Sequence, residues 1–549
     1  MSTNVDPVTD NRPVLDEINE LPDARVLEDK TPGWIRLPAN SVPFVVTLGI
    51  LMIAVFARRP LWPTDLWDHV NYGSWMMTHG QIPTTEPLLP LAEGVPMVTS
   101  AWLSQLGLAV LFSSQGFAGL QFIYGLLVIV PLAVVAWGGV RRSGSTAFGF
   151  VAILTCMALN WQQILIIRPQ LIGVVFFSIV VTWLLAVRSW HPVGWLWLPA
   201  MFAVWANSHG SFALGLTAMA IAGLAHAITI AVRTKSFKAG LSNQRFVRLF
   251  LLTQLCLVAA LINPNGIAVL SEVLRVGSNP NVESMFEWRP LTLRMNQGKM
   301  AAAFGLLLVM VLLWSPRRLR LDDVLLLTFT AGMTLWSSRM INWLAPVMAL
   351  TLAAHGAAAW RYVQGAVRSR LVVPKSGLWT VVNLVLCWVF FAFTTFGVQV
   401  VHGRRVEVDR AVSSQTPVSS VDFLNSMDSL PVGLVFCPAE WAGFLQGFGP
   451  SDLRPMVNLH VHVIPEEIWD HYLQLSAGPT DWKGLTEIYG INLAVTQKSS
   501  HERLITKMRE NAGWVAIYED AQAVIFERQR QMHQIPVDPS DPPRESLGL

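Results

Sequence analysis

The stretch from Val42 to His79, VPFVVTLGILMIAVFARRPLWPTDLWDHVNYGSWMMTH, joins an unbroken apolar run to a loop rich in Trp, Asp and His. The run 42–57 approaches a bilayer crossing, for which about 20 residues is typical. If Asp65 to Thr78 is helical, Asp65, Asp68 and His69 share a face at the i, i+3, i+4 spacing, while Trp67 and Trp75 suit a membrane interface. A carboxylate at a lipid surface can deprotonate an acceptor hydroxyl, or hold a cation or amine, near a lipid-borne phosphate. A plainer account fits the same residues: an exposed loop carries acids, and its Trp side chains anchor it.

Working outward, ten more apolar runs follow at 117–140, 145–160, 170–187, 193–207, 210–232, 246–265, 298–315, 321–336, 340–358 and 377–401. Apolar residues make up 52% of the chain and charged residues 14%, against about a quarter charged in soluble proteins. The chain reads as a polytopic α-helical membrane protein of 11 spans with a C-terminal soluble α/β domain. Its net charge of +3 is too small and dispersed for a nucleic-acid footprint. The 4 cysteines have no CxxC spacing, so neither a disulfide framework nor a zinc site is indicated.

Basic residues set the orientation, because they are retained on the cytoplasmic side during insertion. Arg141-Arg142, Arg188, the run from Arg233 to Arg248, Arg317-Arg318-Arg320, and Arg361 to Lys375 punctuate alternate gaps. Placing them inside puts a disordered tail, 1–41, in the cytoplasm and the loop 58–116 outside, with Ala101 to Gly116 dipping in without crossing. The C-terminal region then also lies outside. No pair of charges is read deep within the spans, and no two-half repeat is evident.

Residues 402–535 have the composition of a soluble α/β domain, followed by a Pro-rich disordered tail, 536–549. Strands are expected at 431–437, 455–464 and 491–496, with a hairpin at 514–527; helices are expected at 439–447, 465–475, 481–489 and 500–511. On the strand 455–464, His460 and His462 would point to one face, with Asp470-His471 one helix later. A metal site needs three convergent ligands, and only a pair is in sight. Glu440-Trp441 suits capping and packing, and no Gly-rich phosphate loop or nucleophile elbow is present. Acceptor recognition or partner binding is the role such a domain would play.

The outer gaps carry the remaining candidates. Arg168 and Arg339 can each bind a lipid phosphate bidentately, or snorkel into interfacial water. His209 in WANSHG can orient a phosphate or an acceptor, or serve as a hydrogen-bonded turn residue. Glu287, Trp288 and Arg289 offer a carboxylate and a sugar-stacking ring, or a local ion pair beside an interfacial Trp. Asn263 and Asn265 around Pro264 suit a turn.

An acid just after the first span, Gly80 to Pro83 as Gly-x-x-Pro, Gly94 to Pro96 as Gly-x-Pro, Trp102-Leu103, and Leu111 to Gly116 as aliphatic-Phe-x-x-x-Gly follow one another in a telling order. That order resembles the GT-C superfamily of polytopic glycosyltransferases, which use polyprenyl-phosphate sugars. TDLWDH, WANSHG, INPNG, EWRP and Arg339 look like a bacterial subgroup with an exocytoplasmic C-terminal domain, over residues 42 to about 530. The resemblance implies Asp65 as the catalytic acid. The usual second acid is replaced by Leu66, with Asp68 and Glu86 the nearest alternatives.

The expectation is an inverting glycosyltransferase at the outer face of a bacterial cytoplasmic membrane. Asp65 and Asp68 would act on a cell-envelope acceptor; Arg168, Arg339 and His209, with His69 and Glu287 lining the site, would hold a polyprenyl-phosphate-linked sugar. No soluble cofactor is required, and a divalent metal is compatible with two nearby carboxylates. Membrane lipids are partners and nucleic acid is not. Two rivals use the same residues: a transporter or flippase of a lipid-linked or anionic solute, and a non-catalytic scaffold acting through its outer domain.

Overall fold

The computed structural model describes residues 37–38, 42–187, 192–364 and 375–529. The expected tail 1–41 apart from Leu37–Pro38, the expected tail 536–549, and the basic residues Arg188, Arg368 and Arg370 lie outside the described residues. In chain order the helices are α1 (Val42–Phe56), α2 (Asp65–His79), α3 (Trp102–Ser143), α4 (Thr146–Asn160), α5 (Gln170–Ala186), α6 (Gly194–Ser208), α7 (Phe212–Thr234), α8 (Phe237–Leu241) and α9 (Gln244–Ala260). Then come α10 (Ala268–Gly277), α11 (Pro280–Glu283), α12 (Asn296–Trp314), α13 (Leu321–Trp336), α14 (Ile341–Gln364), α15 (Gly377–Ala392) and α16 (Thr395–His402). Each of the apolar runs contains a helix, and among the described residues four helices are long and apolar enough to cross a membrane: α3, α7, α12, and α14 with its preceding turn.

Gly116, at φ 62°, splits α3 where the sequence divides a dipping segment from a span. One run, 377–401, departs from the expectation of a single straight span. The run 377–401 is not one helix: α15 stops at Ala392, and the Thr394 hydroxyl accepts from Gly397 N to start α16.

The chain forms two compact units, one from the described parts of Met1–Leu51 and Arg368–Phe390, the other from Met52–Val367 and Phe391–Leu549. In the first, β1 (Leu37–Pro38) pairs antiparallel with β2 (Lys375–Ser376), and Thr47 donates to Asn383 Oδ1 at 3.1 Å. The second holds both the helices α2 to α14 and the C-terminal α/β segment, so the change of composition near residue 402 does not separate compact units.

That segment contains α17 (Val408–Ala411), α18 (Val418–Asn425), α19 (Ala439–Phe448), α20 (Glu466–Ser476), α21 (Trp482–Ile488) and α22 (Glu502–Arg509). Its sheet has the order β3-β4-β6-β5, from β3 (Leu434–Phe436), β4 (Ile491–Gln497), β5 (Trp514–Glu519) and β6 (Ala523–Arg528), with only β3 and β4 parallel. The strand expected at 455–464 does not form. Pro455 makes one bridge to Val435, and 461–463 is a 3-10 turn. Side chains claim the backbone that a ladder would use: Asp68 takes Leu459 N, Asn458 takes His460 N, and Asn281 Nδ2 donates to the carbonyls of Val461 and Ile464.

Helix α2 begins where Thr64 caps Leu66 N, and ends at Gly80, whose φ of 66° suits the left-handed cap. A Cβ on Gly73 would overlap the Gln105 carbonyl and sit 2.6 Å from Ala109 Cβ, so α2 crosses α3 at backbone contact. Likewise Gly443 on α19 has no room for a Cβ, which would lie 2.7 Å from Asp68 N. Trp67 is not at an interface. It is buried among Phe112, Phe117, Phe444 and Phe448, with ring centroids 5.3–6.0 Å away, and so ties α2 to α3 and α19.

At the far ends of α5 and α14 lies a basic cluster. Arg320 donates to Leu185 O, Arg317 to Arg142 O and Arg361 to Ser143 O. Within it, Arg142 and Asp323 form a sealed ion pair at 2.7 Å, their side chains 1% and 0% exposed. Such a pair was not legible from the spans, because its partners sit at the ends of α3 and α13.

Candidate active site

Four gaps in the chain bring charged side chains together. Asp65 opens α2, Arg168 precedes α5, Glu287 sits in the 3-10 turn Phe286–Trp288, and Arg339 in the turn Ser338–Met340 before α14. They alternate in sign: Arg168 Nε lies 2.9 Å from Asp65 Oδ1, Arg168 Nη1 bonds Glu287 Oε2, and Arg339 Nη1 lies 2.8 Å from Glu287 Oε1. Gln170 on α5 accepts from Arg339 Nε at 2.7 Å, and the Arg339 guanidinium stands 5.4 Å from the Trp288 ring centre. Ser338 fixes the Glu287 turn, donating from Oγ to Glu287 O and from N to Arg289 O.

These side chains are 13–19% exposed, so the row lines an opening rather than a closed core. Burial alone raises the pKa of Glu287, but Arg339 and Arg168 override it and hold the carboxyl at about 2. For Arg168 burial works against the charge, and Asp65 and Glu287 outweigh it, pushing its pKa upward. Among the described residues no protein hydrogen bond reaches Nη2 of Arg168, Nη2 of Arg339 or Oδ2 of Asp65, and none of these atoms is sealed off without a partner.

His209 joins the same region through the turn after α6. Its Nδ1 accepts from Ser211 N at 3.1 Å and meets Ser211 Oγ at 2.9 Å, which leaves the proton on Nε2. Burial lowers its pKa to about 3, with Arg339 and His69 contributing. It is therefore a neutral donor at pH 7. Gly173 on α5 permits this turn, since a Cβ there would overlap Ser211 Oγ.

His69 follows Asp65 by one helical turn. Its Nδ1 lies 3.1 Å from Gln105 Nε2 and 3.4 Å from His460 Nε2, and burial lowers its pKa to about 4. His460, stacked on Tyr72 at 4.3 Å, comes from the C-terminal segment. The sequence singled out His460 with His462, but for a strand face that does not exist.

Asp68 does not join the row. It is 1% exposed, its Oδ2 accepts from Leu459 N at 3.1 Å, and burial raises its pKa well above the usual carboxylate range. Glu86, the other alternative acid, closes its own loop: it accepts from Tyr72 OH at 2.6 Å and from the backbone N–H of Leu88 and Leu89. Asn263 and Asn265 form a turn, Asn263 Oδ1 accepting from Asn265 N. Gln170 and Gln105 had no signal in the sequence beyond their places next to Arg168-Pro169 and Trp102-Leu103.

Asp65 faces a guanidinium, Asp68 a backbone amide, and among the described residues no three His, Cys, Asp or Glu side chains are placed to hold an ion.

No family model and no curated protein matches the sequence. Solved structures do. ArnT from Cupriavidus metallidurans bound to undecaprenyl phosphate is similar at 13% identity and a TM-score of 0.48, over 90% of this chain and 98% of that one. The oligosaccharyltransferase of Archaeoglobus fulgidus, tethered with an acceptor peptide containing the NVT sequon, is similar at 10% identity and a TM-score of 0.51, over 90% of this chain and 74% of that one. At that identity the likeness is one of fold alone.

Proposed function

We propose that this chain is a membrane glycosyltransferase moving a sugar from a polyprenyl-phosphate donor to a cell-envelope acceptor. The observation that carries the reading is the alternating row Asp65, Arg168, Glu287, Arg339, with its unclaimed polar atoms facing an opening. The free Nη2 groups and the His209 Nε2–H are donors suited to a phosphate, and Asp65 Oδ2 is an acceptor suited to a sugar or acceptor hydroxyl. In the transfer the acceptor oxygen attacks C1 of the sugar, and the bond from C1 to the phosphate oxygen breaks with its electron pair passing to the phosphate. The guanidinium groups stabilise the charge that develops there. Attack opposite the leaving group inverts C1. The fold is similar to that of an oligosaccharyltransferase, which agrees with a glycosyl-transfer reading.

The site and the basic cluster lie at opposite ends of α5 and α14: Arg168 and Arg339 precede the two helices, while Leu185 and Arg361 lie at their far ends. The basic end would face the cytoplasm and the site the outside of a bacterial cytoplasmic membrane, with the C-terminal segment outside. Eleven crossings remain the count that fits this parity. No metal enters the reaction as drawn.

The test is transfer in proteoliposomes from radiolabelled undecaprenyl-phosphate mannose, glucose and arabinofuranose to alkyl glycosides. Wild type is compared with Asp65→Asn and Arg339→Ala at matched expression. Loss of transfer in both variants is the expected result. Transfer that survives both removes this site, and donor flipped across the bilayer without being consumed makes the chain a flippase.

A further inference from the structure

Asp65 is engaged by a guanidinium, so the group that receives the acceptor's proton has to be sought beside it. His69 is one turn further along the same face of α2 and partly exposed. Both hydrogen-bond contacts of its ring fall on Nδ1, with Gln105 at 3.1 Å and His460 at 3.4 Å. Among the described residues Nε2 has no protein hydrogen bond, and it is not sealed off. We propose that His69 is the general base of the transfer, with Gln105 and His460 as positioning residues that hold its proton on Nδ1 and leave the Nε2 lone pair to the acceptor. The inference rests on the glycosyltransferase reading and names the base within that site.

The groups around Nδ1 allow this tautomer. As placed, the Gln105 amide presents its NH2 to the ring, while its Oε1 is buried without a partner. Amide oxygen and nitrogen are interchangeable by a half-turn of the side chain. After that turn Oε1 accepts from Nδ1–H, and the NH2 group takes the buried position that Oε1 held. His460 Nε2, on the same side at 3.4 Å, also accepts when His460 carries its own proton on Nδ1. Tyr72 stacks on His460, and the OH of Tyr72 is tied to Glu86, so the His460 ring is held in place.

The proton balance is simple. The acceptor O–H bond breaks as its proton joins His69 Nε2, and the oxygen's electron pair forms the new bond to C1. The imidazolium that results faces Asp65, whose charge favours it, and Arg168, Arg339, His209, His460 and His462, which do not. In the resting protein the ring is neutral, with its pKa near 4, as a base must be. Because His460 belongs to the C-terminal segment, the site is incomplete without that segment.

The test uses the full chain in the proteoliposome assay above, following kcat/KM against pH for wild type, His69→Gln, Gln105→Leu and Gln105→Glu. His69→Gln is expected to lose about 10²- to 10³-fold. Imidazole is expected to restore transfer to His69→Ala, which a lesion in folding would not permit. Gln105→Glu, an acceptor only, is expected to move the acid limb up by about one pH unit or more, whereas Gln105→Leu slows transfer. His69→Gln within threefold of wild type, or an acid limb that Gln105→Glu leaves in place, overturns the assignment while leaving the transferase reading intact. A wild type that consumes none of the donors overturns both.

Discussion

Glu287→Gln removes the anion that separates two guanidinium groups, and its cost can be worked from the site itself. Glu287 is held near pH 2 against an ordinary value of 4.5, and at about 1.4 kcal/mol per unit this corresponds to roughly 3 kcal/mol of folded-state stabilisation. Breaking a buried ion pair by removing one partner typically costs about 3–5 kcal/mol, so two independent routes meet near the same figure. The sign with pH follows from a folded pKa below the unfolded one. The contribution is fully present above about pH 4.5 and is lost as pH falls towards 2. SDS titration in mixed micelles should therefore find Glu287→Gln roughly 3 kcal/mol less stable at pH 7, with the gap narrowing below pH 4.5. The same change frees two cations, so the affinity for undecaprenyl phosphate should rise while turnover falls. A variant within about 0.5 kcal/mol of wild type, the range of ordinary surface substitutions, with no narrowing in acid, would refute the role of Glu287 as the central counter-ion.

Asp68→Asn keeps an oxygen for Leu459 N and removes a charge that burial disfavours. The folded pKa is raised, so wild type loses stability as pH climbs above the usual carboxylate value; the Asn variant should be the more stable at pH 7, with no advantage near pH 3, in the same titration. Gly73→Ala forces α2 off α3 and carries His69 away from Gln105, so it should lower both the unfolding midpoint and transfer, unlike Gly80→Ala, whose Cβ meets open space and whose strain is confined to the cap. Trp67→Ala empties the aromatic cage between α2, α3 and α19, at a cost of about 3–5 kcal/mol, and trypsin should then cleave the C-terminal segment faster.

Helices were legible because burial in a bilayer or bundle demands long apolar runs, and the chain's runs stop at polar gaps of a few residues. The gaps also disclosed Asp65, Arg168, His209, Glu287 and Arg339, because a charge beside an apolar run is costly without a role. What the sequence could not disclose was pairing. Trp67 reads as interfacial until Phe444 and Phe448, from the C-terminal segment, are seen to enclose it. Asp68 reads as a second catalytic acid until Leu459 N claims it. The stretch 455–464 alternates like a strand, and loses that identity only because Asp68 and Asn281 satisfy its backbone from outside. Each error arises where a contact distant in sequence supplies a hydrogen bond or an aromatic wall that local pattern cannot encode.

The departure from the GT-C pattern at Leu66 takes on physical sense in this light. Leu66 is fully buried, and so is Asp68 two residues on, so α2 turns both positions into the interior. A second acid at Leu66 would be buried without a cation. The second carboxylate of the site comes instead from Glu287, on the turn that Ser338 anchors. Glu287 is a weak base, because two guanidinium groups engage both its oxygens and lower its proton affinity. What it does is let Arg168 and Arg339 share one opening before any phosphate arrives. A ligand phosphate that reaches the free Nη2 atoms then meets cations already in position, and the proton has to go elsewhere. On α2, Nε2 of His69 is a ring nitrogen with no protein hydrogen bond among the described residues, and it can take that proton.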